Sequence, residues 1–345
     1  MYRLCFLFVF MVTTSLSAQS LDLAIDHYGI SFGNSKRFNG LRINVSDHNI
    51  ERINGINITL WKARSNDTGT INGVALGLVA PEAKHINGVA AGLGVGAGSR
   101  LNGISLGVLG TGSGGDIKGI TLGGLGVGAG NDIQGIAIGG LGIGAGEELR
   151  GVALGGLGVA SGGDIWGVTL GGLGVGAGGN LRGLAFGILG VGAGEQASGI
   201  LIGGLGVGAG ETLSGASFGL VGSGAGDDVR GIHIAGVGVG AGQEIKGIAL
   251  SGVGIGAGER ITGVALTGAY LKTPNLQGIG GAAYLKVDHL KGLGLAGVGR
   301  FQSSRGLSIA LVNIAQELHG VQLGLINYAG NNKVLKIFPL LNLHL

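Results

Sequence analysis

The sequence predicts an all-β fold, a β-solenoid of about nineteen short coils with a period of 14 to 16 residues. Three observations predict it. Glycines that precede an apolar pair recur every 16 residues from Gly119 through Gly135, Gly151 and Gly167 to Gly263. Spacings of 14 to 18 extend this register up to Gly40 and down to Gly320, and a fixed short period is the signature of stacked repeats. Within each unit the large apolar residues stand two apart, as on one face of a strand. The chain also holds 82 glycines in 345 residues, yet they do not fall every third residue and only three prolines accompany them, which excludes collagen. With 45% hydrophobic and 12% charged residues, the composition is the reverse of a disordered chain.

Each segment then finds its place in order. Residues 1–18, MYRLCFLFVFMVTTSLSA, carry one Arg, an apolar run and small residues at Ser15, Ser17 and Ala18. They read as a secretory signal peptide that leaves Gln19 as the new N-terminus. Cys5, the only cysteine, lies inside it, so the mature chain has no internal disulfide. Residues 19–70, richer in Asn, Asp and Arg and holding Trp61, read as an atypical N-terminal capping region. Residues 71–268 are regular repeats of 15 to 16, residues 269–330 repeats of 14, and residues 331–345 a C-terminal tail.

Inside one unit the expected core columns are Ile117, Ile120, Leu122, Leu125, Val127 and Ala129. The steps of three in this series call for a bend at Gly123-Gly124 that keeps both halves facing one interior. Gly130 and the pair 123-124 then serve corners with positive φ. Gly124, Gly126 and Gly128 line an outer face, together with a column of Thr121, Ala137, Ala153, Thr169, Ala185 and His233. On this reading Gly124→Val is tolerated by an isolated solenoid, and the bare glycine face suits homo-oligomer contact. Phe218, with Ala216 and Ser223 as small neighbours, reads as a volume exchange in the core. The alternatives are an antiparallel β-meander turning at Gly123-Gly124 and an outer-membrane β-barrel. The barrel lacks the continuous lipid-facing row that a membrane strand needs. Stacked coils would measure about 90 Å end to end at the strand spacing.

The motifs that look chemical find weak support. GLGVGAG repeats a glycine-rich phosphate loop without the following Gly-Lys-Ser/Thr or a helix to receive phosphate, so no nucleotide cofactor is expected. Seven scattered His without paired spacing suggest no zinc site, and one or two acids per 16-residue unit do not match calcium repeats. Ser105 and Ser217 each stand in Gly-x-Ser-x-Gly, inside strands with no helix after them. Asp116, Asp132, Glu148, Asp164, Asp228 and Glu244, with Lys118, Arg150, Arg230 and Lys246 two residues on, read as a solvated corner. A net charge of +3 spread along the chain points to no nucleic acid. Catalytic, cofactor and metal residues are therefore expected to be none. AYLK occurs twice, fourteen residues apart, and Tyr270, Lys272, Tyr284 and Lys286 are the candidate partner contacts. Stacked coils should also place Asn313 beside Asn327.

GIAIGGLGIGAG resembles the head repeats of trimeric autotransporter adhesins over residues 110–260, which implies a parallel β-roll; no heptad stalk follows in this chain. ELHGVQLGLINYAGNN and the INGVA units at 71 and 86 are similar to exported surface-repeat proteins of Gram-negative bacteria, with units of the type x-N-G-V-Q-x-G-L-x-N-x-A. This second resemblance spans most of the mature chain. It implies export and repetitive β structure. Association with the cell surface or outer membrane is a separate expectation for partners. The expected function is a non-enzymatic structural or adhesive role at the cell surface or in the periplasm, with an outer-membrane pore as the alternative.

Overall fold

The computed structural model describes residues 20–64, 66, 68–333 and 335–344. The expected signal peptide lies outside them. Every described element is a strand, and the residues group into two units, one ending at Leu157 and the other beginning at Gly158.

The first unit contains β1 (Ser20–Ile25), β2 (Tyr28–Gly33), β3 (Arg37–Asn44), β4 (Arg52–Thr59), β5 (Thr70–Gly77) and β6 (Glu82–Ser113). Long and short strands then alternate as β7 (Asp116–Gly123), β8 (Gly126–Ala129), β9 (Ile133–Gly139), β10 (Gly142–Ala145) and β11 (Leu149–Gly155). Pairing runs coil on coil. β7 lies parallel to β9, with Ile117 opposite Ile133 and Gly119 opposite Gly135, and β8 lies parallel to β10, with Val127 opposite Ile143.

In the second unit the short strands are β12 (Gly158–Ser161), β14 (Gly174–Ala177), β16 (Gly190–Ala193), β18 (Gly206–Ala209), β20 (Gly222–Ala225), β22 (Gly238–Ala241) and β24 (Gly254–Ala257). Between them run the long strands β13 (Ile165–Gly171), β15 (Leu181–Gly187), β17 (Gln196–Gly203), β19 (Thr212–Gly219), β21 (Asp228–Ala235), β23 (Glu244–Ser251) and β25 (Arg260–Thr267). β26 (Tyr270–Ala329) carries the 14-residue repeats, and β27 (Ile337–His344) ends the series. Long strands again pair in parallel at a step of 16, as in Gly183 opposite Gly199.

This is a β-solenoid of about 15 turns, close to the nineteen units expected. The meander and the barrel are both excluded, because away from the two ends the strands pair in parallel with their equivalents one period away. Among the described residues only the terminal pairings are antiparallel, β1 with β2 and β26 with β27.

All nineteen register glycines from Gly40 to Gly320 take φ between 95° and 150°. Only glycine enters that region freely, and a Cβ at Gly119 would overlap the carbonyl oxygen of Gly103 one coil away. Gly123, Gly124 and Gly130, expected at positive φ, are absent from that set. Close approach explains them instead: a Cβ at Gly124 would overlap the Val108 carbonyl, and one at Gly130 that of Gly114. Gly124→Val is therefore not tolerated by the coil itself.

The sides of the wall also differ from expectation. Ile117, Thr121, Gly123, Val127 and Ala129 face inward, whereas Gly119 and Leu125, also at odd positions, are exposed. Ile120 and Leu125, expected in the core, are 42% and 53% exposed, and Leu122 is half-buried. The column expected outside, Thr121, Ala137 and Ala153 in the first unit and Thr169, Ala185 and His233 in the second, is buried. Most of its residues are small, but Leu201 and His233 are buried in it as well. A Cβ at Gly123 would overlap the Gly126 carbonyl and crowd Val127, so long and short strands nearly touch there. Phe218 is exposed, and its exchange with Ala216 is not a core event.

Polar ladders run along the stacks. Asn54, Asn72, Asn87 and Asn102 each donate a side-chain N–H to the amide oxygen of the Asn one coil earlier, in a ladder that starts at Asn39, at 2.7–3.0 Å. In the first coils a fully buried Arg42 replaces apolar filling. It donates to Asp47 at 2.5 Å, Asn57 at 2.6 Å and Asn34 at 2.8 Å, which satisfies the buried carboxylate.

Candidate functional surface

Parallel stacking in register turns every repeated residue into a column. In the second unit the outward residues of the long strands are apolar in coil after coil. Val168, Leu184, Ile200, Ile232 and Ile248 form one column, and Leu170, Phe186, Ile202, Phe218 and Ile234 a second. At the corner beyond them stand Leu173, Leu189, Leu205, Val221, Val237 and Val253. Each retains between 36% and 53% exposure. The first unit repeats the pattern with Ile104, Ile120 and Ile136, and with Leu109, Leu125 and Leu141. This surface escaped the sequence reading, which placed the same residues inside. The signal was present in the step of three that separates Ile117 from Ile120.

The face of the short strands is bare. Gly128 and Gly144 in the first unit, and Gly176 and Gly240 in the second, project toward open space, with no atom within 4 Å of where a Cβ would stand. The outward placement of this glycine row matches expectation.

Tyr270 and Lys272 end that row, lying opposite Gly254 and Gly256 across the β24–β26 pairing. The ring of Tyr270 stacks on that of Tyr284, with centroids 5.7 Å apart and planes 10° apart. Lys272 is exposed and Lys286 half-buried. Tyr270, Lys272 and Pro274 wall an open groove of about 610 Å³ whose floor includes Gly254, Gly256 and Ala257. The structure thus joins the two tyrosines and sets one lysine at a groove. The expected Asn pair also forms, Asn313 donating to Asn327 at 2.8 Å.

The charged corner is more than a solvated edge. Asp164 accepts the backbone N–H of Asn180 one coil on at 2.7 Å. Asp132 does the same for Glu148, and Asp228 for Glu244. The Asn180 N–H is the main reason the Asp164 carboxyl lies below the usual carboxylate range. Cations pair with these acids, Arg150 with Glu148 and Arg230 with Asp228.

Of the two Gly-x-Ser-x-Gly serines, Ser105 donates to Thr121 at 2.9 Å. Ser217 lies 2.7 Å from Nδ1 of His233 and also bonds Ser223. A serine and an imidazole at that distance have the geometry of a nucleophile and its base. Ser217 is only 4% exposed and His233 fully buried, however, so a substrate would reach them only if the coil opened. Among the described residues no three of His, Cys, Asp and Glu come together as metal ligands.

No protein-family model matches the chain, and neither a curated protein nor a solved structure is similar to it.

Proposed function

We propose that this chain is an exported, non-enzymatic repeat protein with a structural or adhesive role at the cell surface or in the periplasm. The observation that supports a contact role is the apolar outer face. Soluble monomers rarely expose contiguous apolar patches beyond a few hundred Å², and here large apolar side chains recur in every regular coil of each unit. A surface built this way offers area rather than a reaction centre. The Ser217–His233 pair is buried in the coil interior, and the Asn side chains of the first coils are joined in a ladder. Export rests on the leader-like sequence of residues 1–18.

Fractionation of cells that make the chain, with mass spectrometry of its N-terminus, tests the reading. The expected product lies in the envelope or surface fraction and begins at Gln19. A cytoplasmic chain that keeps residues 1–18 would overturn the proposal.

A further inference from the structure

The apolar face of the second unit is not uniform, and its irregularities are symmetric. The position two residues after the outward Leu or Ile is normally glycine, as in Gly172, Gly204 and Gly236. Two coils depart from this. One carries Phe186 with Ile188, the other Phe218 with Leu220, and Ile188 and Leu220 are 57% and 59% exposed. These two coils flank the coil of Ile202 and Gly204, one on each side. The result is a pair of raised ridges about a lower centre. Side-chain size tracks the same centre: Leu184 on one ridge corresponds to Ala216 on the other.

We propose that this face is the contact between two copies of the chain, packed antiparallel about a two-fold axis through the region of Ile202. An isologous contact uses the same patch on both partners. A rotation about an axis lying along the strands exchanges the two ridges, bringing the Phe186 coil of one copy toward the Phe218 coil of the other. The smaller Ala216 then leaves room for Leu184 of the second copy, while Ile188 of one copy meets Leu220 of the other ridge to ridge and the Gly204 coils stay low between them.

Area supports a second copy. Each of the six coils with register glycines Gly167 to Gly247 exposes two to four large apolar side chains. Together they offer on the order of 1,000 Å² per copy, comparable with the roughly 800 Å² each partner buries in a stable complex. Charge supports it as well. The apolar columns in these coils contain no ionisable residue. Of the cations at the far corner, Arg230 pairs with Asp228 and Arg182 lies over the Trp166 ring, while Lys246 alone makes no such contact among the described residues. A surface made for anionic lipid would instead show a cluster of several unmatched basic residues.

The inference names the partner of the face and does not depend on the compartment, so it can fail while export stands. The test is the mass of the full chain in detergent-free buffer by multi-angle light scattering, beside Ile202→Asp. A dimeric wild type and a monomeric variant with unchanged far-ultraviolet circular dichroism are expected. Because Ile202 points outward, the charge should leave the coil folded. A second readout uses single cysteines in a Cys5→Ser background with a short bis-maleimide. Ile202→Cys should cross-link between copies. Leu266→Cys, four coils away, should not, because antiparallel packing sets the two positions eight strand spacings apart, about 38 Å. A monomeric wild type, one that binds phosphatidylglycerol vesicles included, would overturn the proposal, and cross-linking at both positions would overturn the antiparallel arrangement.

Discussion

The buried column that holds Thr169, Ala185 and Leu201 in neighbouring coils holds His233 in its own. Its Nδ1 meets Ser217 at 2.7 Å, while its Nε2 has no partner among the described residues. Burial pushes the imidazole pKa below its ordinary value of 6.5, with a smaller opposing effect from the backbone at Arg230. The folded coil therefore keeps His233 neutral at pH values where the unfolded chain already takes up a proton. Through this group stability is constant above pH 6.5 and declines as pH falls below it. The decline ends once the depressed folded value is passed. Its full size is about 1.4 kcal/mol for each unit of depression. Thermal unfolding at pH 7.5 and 5.5 should show a lower midpoint at the acid value for wild type. His233→Leu, which copies Leu201, should flatten the difference. A variant that keeps the full wild-type slope would assign the acid sensitivity elsewhere.

At the scale of one strand, β8 separates two kinds of glycine. Gly124, just before it, cannot carry a Cβ without displacing the Val108 carbonyl of the adjacent coil, whereas Gly128 within it faces open space. Gly124→Val should cost at least about 3 kcal/mol through backbone displacement. Gly128→Val should be neutral or stabilising by up to about 1 kcal/mol, since glycine weakens a strand interior. Paired denaturant titrations decide it, and equal midpoints for the two variants would refute the distinction. The same strand marks how far the fold was legible. Gly119 and its eighteen counterparts announce the period, and all adopt the positive φ that a recurring glycine implies. Ile120 and Leu125 misled because hydrophobicity was equated with burial. The column equivalent to Thr121 in the second unit also admits Leu201 and His233, whereas Gly123 takes the inner side because β7 and β8 approach too closely there for any side chain. That separation is a property of the folded coil, and no single residue encodes it. The tyrosine pair was legible because Tyr270 and Tyr284 are one period apart. The contact between Ser217 and His233 was legible on the same arithmetic, but Ser217 and His233 were assigned to no shared wall.

In the whole chain, parallel stacking has one unavoidable weakness, which is that the last coil presents unpaired backbone. An open strand edge is a template for aggregation. Both units answer it with a reversal of direction. β1 folds back on β2, with Leu21 opposite Phe32, and β27 folds back on β26, with Val321 opposite Leu343. At the second cap Asn327 also donates to the Phe338 carbonyl at 3.2 Å, so the turnback is tied by side chain as well as backbone. Interior coils carry no such duty, because each contacts only its neighbours and stability is close to a sum of repeat and interface contributions. A chain ending at residue 330 loses β27 and exposes the edge of the last coil. A chain lacking residues 232–247 loses a full period, yet joins Gly231 to Ile248 in register. The shorter truncation should therefore do the greater harm: the chain ending at 330 should form high-mass, thioflavin-positive assemblies on warming, while the period deletion stays disperse with a modestly lower midpoint. Light scattering during a thermal ramp compares them directly. If both deletions behave alike, β27 is an ordinary strand and the coils end without needing a cap.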